Sequence, residues 1–310
     1  MLPLDKLSGP DSLKQFCAQV LTYGMLPGVA SPTLRRRRLA RELLRLRDQA
    51  GMTIETAAAT VGISASHLSR VERAQVGVRL PVVKLLLSTY DADASTIAHL
   101  TDMAKEATTR GWWHKYVGSI PEQYATYIGF EAEAEQIWNF EAAAVPGLVQ
   151  TEAYARAMFQ GGASRIFEEE ISRRVEIRLQ RQEILKQPSP PKLWFVLDEA
   201  VIRRQVGGPK TLAEQLRRIA EVATLPHVDV QVMPFTVGAH PGTPGSFTVL
   251  RFPDPSDPPV VYIETMAGDL YPESQSHLSS VILAWDRMRA MALSPDDSAA
   301  LIQQAARELT

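Results

Sequence analysis

The sequence predicts an all-α five-helix domain followed by a larger α+β domain. Three observations carry this expectation. The chain has 310 residues, material for about two domains. Between residues 31 and 107 apolar side chains recur at helical spacing between capping residues and turn glycines, whereas beyond residue 135 short strand-like runs alternate with helical segments. The charge is divided in the same way: residues 31–90 hold eleven Lys/Arg against four Asp/Glu, a net of +7. Residues 1–30 balance, so the overall −2 leaves −9 on residues 91–310. A basic module joined to an acidic one fits nucleic-acid binding by the first and another task for the second. The expected boundaries are an N-terminal extension over 1–30, a helical DNA-binding domain over 31–108 and an α+β domain over 109–310.

Composition narrows the classes further. Hydrophobic residues make up 45% and charged residues 22%, as in ordinary globular chains. The single cysteine, Cys17, excludes an intrachain disulfide and a cysteine-rich zinc site. No apolar run reaches membrane-spanning length, and MLPLDKLSGPDS lacks the charged and apolar regions of a secretion signal, so a cytoplasmic protein is expected.

Within residues 1–30, Leu13, Phe16, Cys17, Val20 and Leu21 share one helical face and indicate a short amphipathic helix packed on the body. Ser31-Pro32 is a good helix start, with a capping serine and a proline in the first turn. That helix should run to Gln49 with Leu39, Leu43 and Leu46 inward. Arg35 to Arg38 form an unbroken basic run near its beginning, either a solvated face or a grip on phosphate in which Arg35 and Arg36 take part.

The stretch from Thr53 to Arg73, TIETAAATVGISASHLSRVER, reads as two short helices joined by a tight turn. Thr53 caps the first, whose inner face holds Ile54, Ala57, Ala58 and Val61. Gly62 stands where a chain leaving a helix needs a left-handed residue, and Ser64 caps the second helix. There Leu68 and Val71 fall on one side and Ser66, Ser69, Arg70 and Arg73 on the other. Such a helix can enter the major groove, where guanidinium groups reach guanine edges or phosphates and hydroxyls bond to bases or backbone. Thr53, Ser64, Ala65, Ser66, His67, Ser69, Arg70 and Arg73 are therefore the candidate DNA-facing residues. The plainer alternative is a surface hairpin with a solvated polar face. Pro81 then opens a helix through Val83, Leu86, Leu87 and Tyr90, and a fifth spans about Ser95 to Ala107.

The run RRRRLARELLRLRDQAGMTIETAAATVGISASHLSRVERAQVGV resembles the helix-turn-helix domain of Xre-family regulators, which implies a lambda-repressor-like fold. Two positions depart from the pattern: Ile54 replaces a glutamine that in many relatives supports the reading helix, and Ala74 replaces a glycine.

In the second half, Gly111-Trp112-Trp113-His114-Lys115-Tyr116 comes first, and strands are expected at 135–140, 193–197, 228–233, 246–252 and 260–264. Helices should cover 151–159, 168–186, 211–225, 273–292 and 295–309, with a proline-rich turn at Pro253–Pro259. GWWHKY, YIGFEAEA, VPGLVQTEAYARA, RLQRQEIL, LDEAVIRR, VMPFTVGAHPG and YIETMAGDLY resemble the C-terminal domain of unknown function in actinobacterial Xre regulators. That resemblance implies an antitoxin-like regulator with a small neighbour-encoded protein partner.

No enzymatic constellation stands out. His227 and His240 lack metal-ligand spacing, so no metal or other cofactor is expected. Asp198, Glu199 and Glu264 sit at strand ends, where an acid/base pair is conceivable but capping or solvation is commoner. The loop Val237–Gly245 lacks the ending of a phosphate-binding loop and is either a lid or an ordinary surface loop. Trp112, Trp113, Tyr116, Tyr124, Tyr127, Trp138 and Phe140 concentrate aromatic area suited to the core and the domain junction. Of these, Trp112, Trp113, Tyr116 and Trp138, with His240, are the candidate ligand- or partner-binding residues.

The expectation is a non-enzymatic, sequence-specific transcription regulator that binds double-stranded operator DNA as a homodimer and receives a signal from a small protein or ligand. The alternatives are a protein that chiefly sequesters its partner and an enzyme regulating its own gene.

Overall fold

A computed structural model of the protein describes residues 34–106, 112–116, 120–162, 167–266, 268–272 and 274–309. The expected helix within residues 1–30 and the Ser31 cap lie outside them.

Five helices come first: α1 (Leu34–Gln49), α2 (Ile54–Thr60), α3 (Ala65–Glu72), α4 (Leu80–Thr89) and α5 (Ala94–Glu106). Of the predicted inward residues, Leu39, Leu43, Leu46, Ala57, Ala58, Leu68, Val71, Val83, Leu86, Leu87 and Tyr90 are buried together with Leu100 and Ala104, while Ile54 and Val61 are only partly buried against them. Local chemistry marks the ends. The Thr53 hydroxyl accepts from the Thr56 N–H, the Ser64 hydroxyl accepts from the His67 N–H, and Pro81 lies in the first turn of α4. Asp93 accepts from the Ser95 and Thr96 amides and hydroxyls, and these bonds hold its carboxyl far below the usual range. Gly62 has φ +70°, the left-handed turn that separates α2 from α3. Ala74 takes the same conformation at φ +57°, where a glycine would be free of Cβ strain.

The second domain is a six-stranded mixed sheet between helical layers. Its elements in order are α6 (Glu122–Glu131), β1 (Gln136–Glu141), α7 (Glu152–Gln160), α8 (Glu168–Arg181), β2 (Lys192–Asp198), α9 (Glu199–Arg203) and α10 (Pro209–Val222). Then come β3 (Val228–Met233), β4 (Phe247–Arg251), β5 (Val260–Thr265), β6 (Gly268–Leu270), α11 (Gln275–Met291) and α12 (Pro295–Glu308). The strand order is β3-β2-β1-β4-β5-β6. The first three strands are parallel, and the pairs β1–β4, β4–β5 and β5–β6 are antiparallel. Parallel neighbours need a crossover, which α7 and α8 supply between β1 and β2, and α9 and α10 between β2 and β3.

Because successive strand residues face opposite ways, each strand feeds two cores. Ile137, Leu193, Phe195, Val230 and Leu250 pack with Leu212, Leu216, Ile219 and Ile302 from α10 and α12. Trp138, Phe140, Val196 and Val249 pack on the other face with Leu278, Trp285 and Met288 from α11. The predicted strands are all present. The single helix expected over 168–186 is instead α-helical only to Arg181, and a 3₁₀ turn over Gln182–Lys186 finishes it. Helices α6 and α9 and strand β6 were not anticipated.

Candidate nucleic-acid interface

Helix α3 is held from behind and open in front. Leu68 and Val71 are buried in the helical core, while Ser66, Arg70 and Arg73 are exposed and Ser69 is half-buried. Arg73 Nε donates to the Ser69 carbonyl at 3.2 Å, which lays its guanidinium along the helix. Thr53 and Ser64, both exposed, stand at the N-termini of α2 and α3 beside half-buried Ala65 and His67. Seven of the eight predicted DNA-facing residues of this segment thus lie on α3 or at its two caps, and the eighth, Thr53, caps α2.

A second support was not foreseen. Glu72 is buried, and its carboxylate accepts from Arg47 Nε at 2.7 Å and Arg47 Nη2 at 3.1 Å. Arg47 Nη1 also donates to the Met52 carbonyl at 2.7 Å. Bonding to Glu72 raises the Arg47 guanidinium above its usual range. The pair fixes α3 to the end of α1 from inside the domain, leaving the outward arginines unencumbered by Glu72. The spacing of charges in sequence gave no sign of a pair 25 residues apart.

The other end of α1 enters the second domain. Leu34 belongs to the core of the sheet domain, and the Arg37 guanidinium lies 5.0 Å from the Phe130 ring centroid. Asp257, buried in the Pro253–Pro259 turn, accepts from Arg38 Nε at 2.5 Å and from Arg41 Nη2 at 3.2 Å. Arg41 Nη1 donates to the Ser256 carbonyl at 2.8 Å. Burial lowers the Arg36 guanidinium, with the Glu122 carboxylate opposing, and Arg35 is half-buried. Three of the four consecutive arginines, Arg36, Arg37 and Arg38, are therefore half-buried against groups of the second domain.

Two family matches agree with these two bodies. The family described as a helix-turn-helix domain matches residues 38–100, and that described as domain of unknown function DUF5753 matches residues 124–304, more than half of the chain. The chain belongs to the DUF5753 family. Its helix-turn-helix domain followed by DUF5753 makes it an Xre-like regulator with a C-terminal domain of unknown function. No curated protein and no solved structure matches it. No described helix is long and apolar enough to cross a membrane.

In this DUF5753 protein the aromatic candidates do not share one place. Trp112 meets Trp113 and Tyr116 edge-on at 6.0 and 6.1 Å, and Tyr116 donates to Glu176 on α8 at 2.6 Å. Trp138 lies on the α11 face of the sheet, stacked on Trp285 at 5.7 Å. His240 is on that same face, edge-on to Phe140 at 5.6 Å, with Nε2 3.4 Å from Asp198 Oδ2. Its loop is seated, because a Cβ at Gly242 would lie 2.4 Å from Phe140 and 2.6 Å from Met288. Asp198 caps α9 by accepting from the Ala200 N–H at 2.8 Å, and Glu199 accepts from the Phe235 N–H at 2.9 Å. Among the described residues no group of three His, Cys, Asp or Glu could hold a metal ion.

The DUF5753 half instead contains a polar cleft on the opposite sheet face. Two adjoining hollows of about 140 and 70 Å³ share Tyr124, Arg178, Tyr262 and Glu264 as walls. The first is lined on its apolar side by Ile120, Phe159 and Ile177. The second ends on Asn139, Glu141 and Thr248 of the central strands. The residues YIGFEAEA, VPGLVQ, RLQRQ and YIETMAGD all contribute to these walls, yet their charged groups showed no mutual spacing in sequence.

Proposed function

We propose that this protein is a sequence-specific transcription regulator that binds operator DNA as a homodimer in the cytoplasm, with α3 as the reading helix and the DUF5753 domain receiving a signal. The observation that carries the reading is the two-sided environment of α3. Its apolar side and Glu72 are locked into the core, while Ser66, Arg70 and Arg73 are outward. Such a helix meets the requirement for direct readout, a rigid scaffold presenting guanidinium and hydroxyl groups to base edges and phosphates. Dimerisation follows from the geometry of two-fold operators, since one domain presents a single reading helix.

Signal reception is supported by α1. One helix, Leu34–Gln49, carries Arg47 in its last turn, bonded to Glu72 of the reading helix, and begins in the core and turn of the second domain. A change at the Asp257 turn therefore has a short rigid route to α3. A small protein partner is supported by the resemblance to antitoxin-like regulators, and a ligand by the polar cleft. Asp198 and Glu199 are taken up in capping and in bonds to Phe235 and Arg203.

The experiment is a mobility-shift titration of the full-length protein on its own promoter, with an unrelated duplex as competitor. Selective retardation of the promoter supports the reading, and equal affinity for both duplexes at every salt concentration removes it.

A further inference from the structure

The cleft in the second domain contains more unspent charge than its structure uses. Arg181 is paired with Glu131 at 2.6 Å and Arg174 with Glu170 at 2.9 Å, so these cations are committed to the fold. Arg178 is different. Its guanidinium lies 5.3 Å from the Phe159 ring centroid and its Nη1 donates weakly to Gln150 Oε1 at 3.3 Å, but its buried Nε has no hydrogen-bond partner and it forms no ion pair among the described residues. The backbone makes room for it, because a Cβ at Gly147 would lie 2.5 Å from Arg178 Nη1.

Facing this guanidinium are Glu141, Glu264 and Asp269, none in an ion pair among the described residues. Glu141 accepts from Asn139 Nδ2 at 3.2 Å, and burial raises its carboxyl to about 7, with the neighbouring Glu264 adding to the shift. Between them stands Tyr262, only 6% exposed, whose hydroxyl completes no hydrogen bond although Asp269 is close. A buried hydroxyl and a buried guanidinium N–H, both unmatched and both in the wall of one hollow, are costly unless something polar answers them.

The complement of this wall is a molecule with one anionic group, more than one cationic group and an aliphatic body. The anion answers Arg178, the cations answer the carboxylates and Tyr262, and the body fits the arm lined by Ile120, Phe159 and Ile177. The hollows are small beside drug-sized sites, which suits a single amino acid.

We propose that the cleft between α8 and strands β1 and β5 binds a basic α-amino acid, its carboxylate held by Arg178 and its two cationic groups by Glu141 and by Glu264 with Asp269. As a binding site this stands on the cleft alone; as the signal of the regulator it rests on the function proposed above. Only a ligand with different affinity for the DNA-competent and incompetent forms shifts operator binding.

The test is isothermal titration of the full-length protein with L-lysine, L-ornithine and L-arginine, compared with cadaverine, which lacks the carboxylate, and L-norleucine, which lacks the second cation. At least one basic amino acid should bind saturably, with cadaverine and L-norleucine at least tenfold weaker. Glu141→Gln and Arg178→Lys should each weaken binding at least tenfold while circular dichroism shows an unchanged fold. No saturable binding of any of the three, analogues binding equally well, or folded variants binding like the parent would overturn the proposal. Promoter binding of the ligand-free protein is measured in parallel. Its presence without amino-acid binding sinks only the cleft, and its absence with amino-acid binding sinks only the regulator.

Discussion

At the scale of single residues, the two sides of α3 should fail in different ways. Arg70→Ala and Arg73→Ala remove exposed guanidinium groups, so melting should be unchanged while operator affinity falls by about 1–3 kcal/mol for each guanine left unread. Leu68→Ala empties a site with no solvent exposure and should cost about 2–5 kcal/mol of stability, read by denaturant unfolding. Arg47→Met leaves the buried Glu72 carboxylate without its partner, and a loss of about 3–5 kcal/mol is expected. Glu141 gives a pH signature. Its carboxyl is raised from 4.5 to about 7 by burial, among Glu264 on β5, Asp269 on β6 and Arg178 on α8. The folded state therefore holds this proton more tightly than the unfolded state. Full stability is present below about pH 4.5 and is lost progressively as pH rises through about 7. Glu141→Gln should match the parent near pH 4 and exceed it by about 3 kcal/mol near pH 8. Parallel unfolding curves at both pH values check this, and an equal difference at both would contradict it.

At the scale of elements, α1 is the part that joins the two bodies. Sixteen residues at 1.5 Å each make it about 24 Å long, with Leu34 in one core and Leu43 in the other. Its arginines divide accordingly: Arg38 and Arg41 serve the junction, and Arg47 serves α3. Replacing Arg38 and Arg41 together by alanine strands the buried Asp257 carboxylate and should destabilise the protein by about 3 kcal/mol. Operator affinity at a temperature where the variant is folded should fall less than in Arg70→Ala. A larger fall would mean that the start of α1 grips phosphate directly. The elements that escaped sequence reading did so for physical reasons. From Tyr127 to Glu131 every residue of α6 is buried, so no polar face marks a helical period. α9 has five residues and β6 three, too short to show any period.

At the scale of the whole molecule, what was legible in the sequence is what is decided locally. Thr53 and Ser64 cap, Gly62 turns left-handed and Leu68 faces inward because each acts within a few residues of itself. Asp257 meets Arg38 across 219 positions, and the cleft assembles Glu141, Arg178 and Tyr262 from separate elements. Such meetings depend on sheet order, which no local pattern records. The divided charge has its own consequence for the assembled regulator. Each phosphate neutralised by the basic domain releases counterions, so an interface with six or more phosphates should weaken by orders of magnitude between about 50 and 200 mM salt. Sedimentation should show a dimer on a full operator; a monomer both free and bound would contradict two-fold recognition. The central claim is that the outward face of α3 reads operator DNA. The most direct test is the fluorescence anisotropy of a labelled promoter fragment, titrated with the parent protein and with the folded Arg70→Ala/Arg73→Ala double variant at low salt. The expected result is tight binding by the parent and a loss of about tenfold or more in the variant. Equal binding by both, or no binding by the parent at about 50 mM salt, would contradict it.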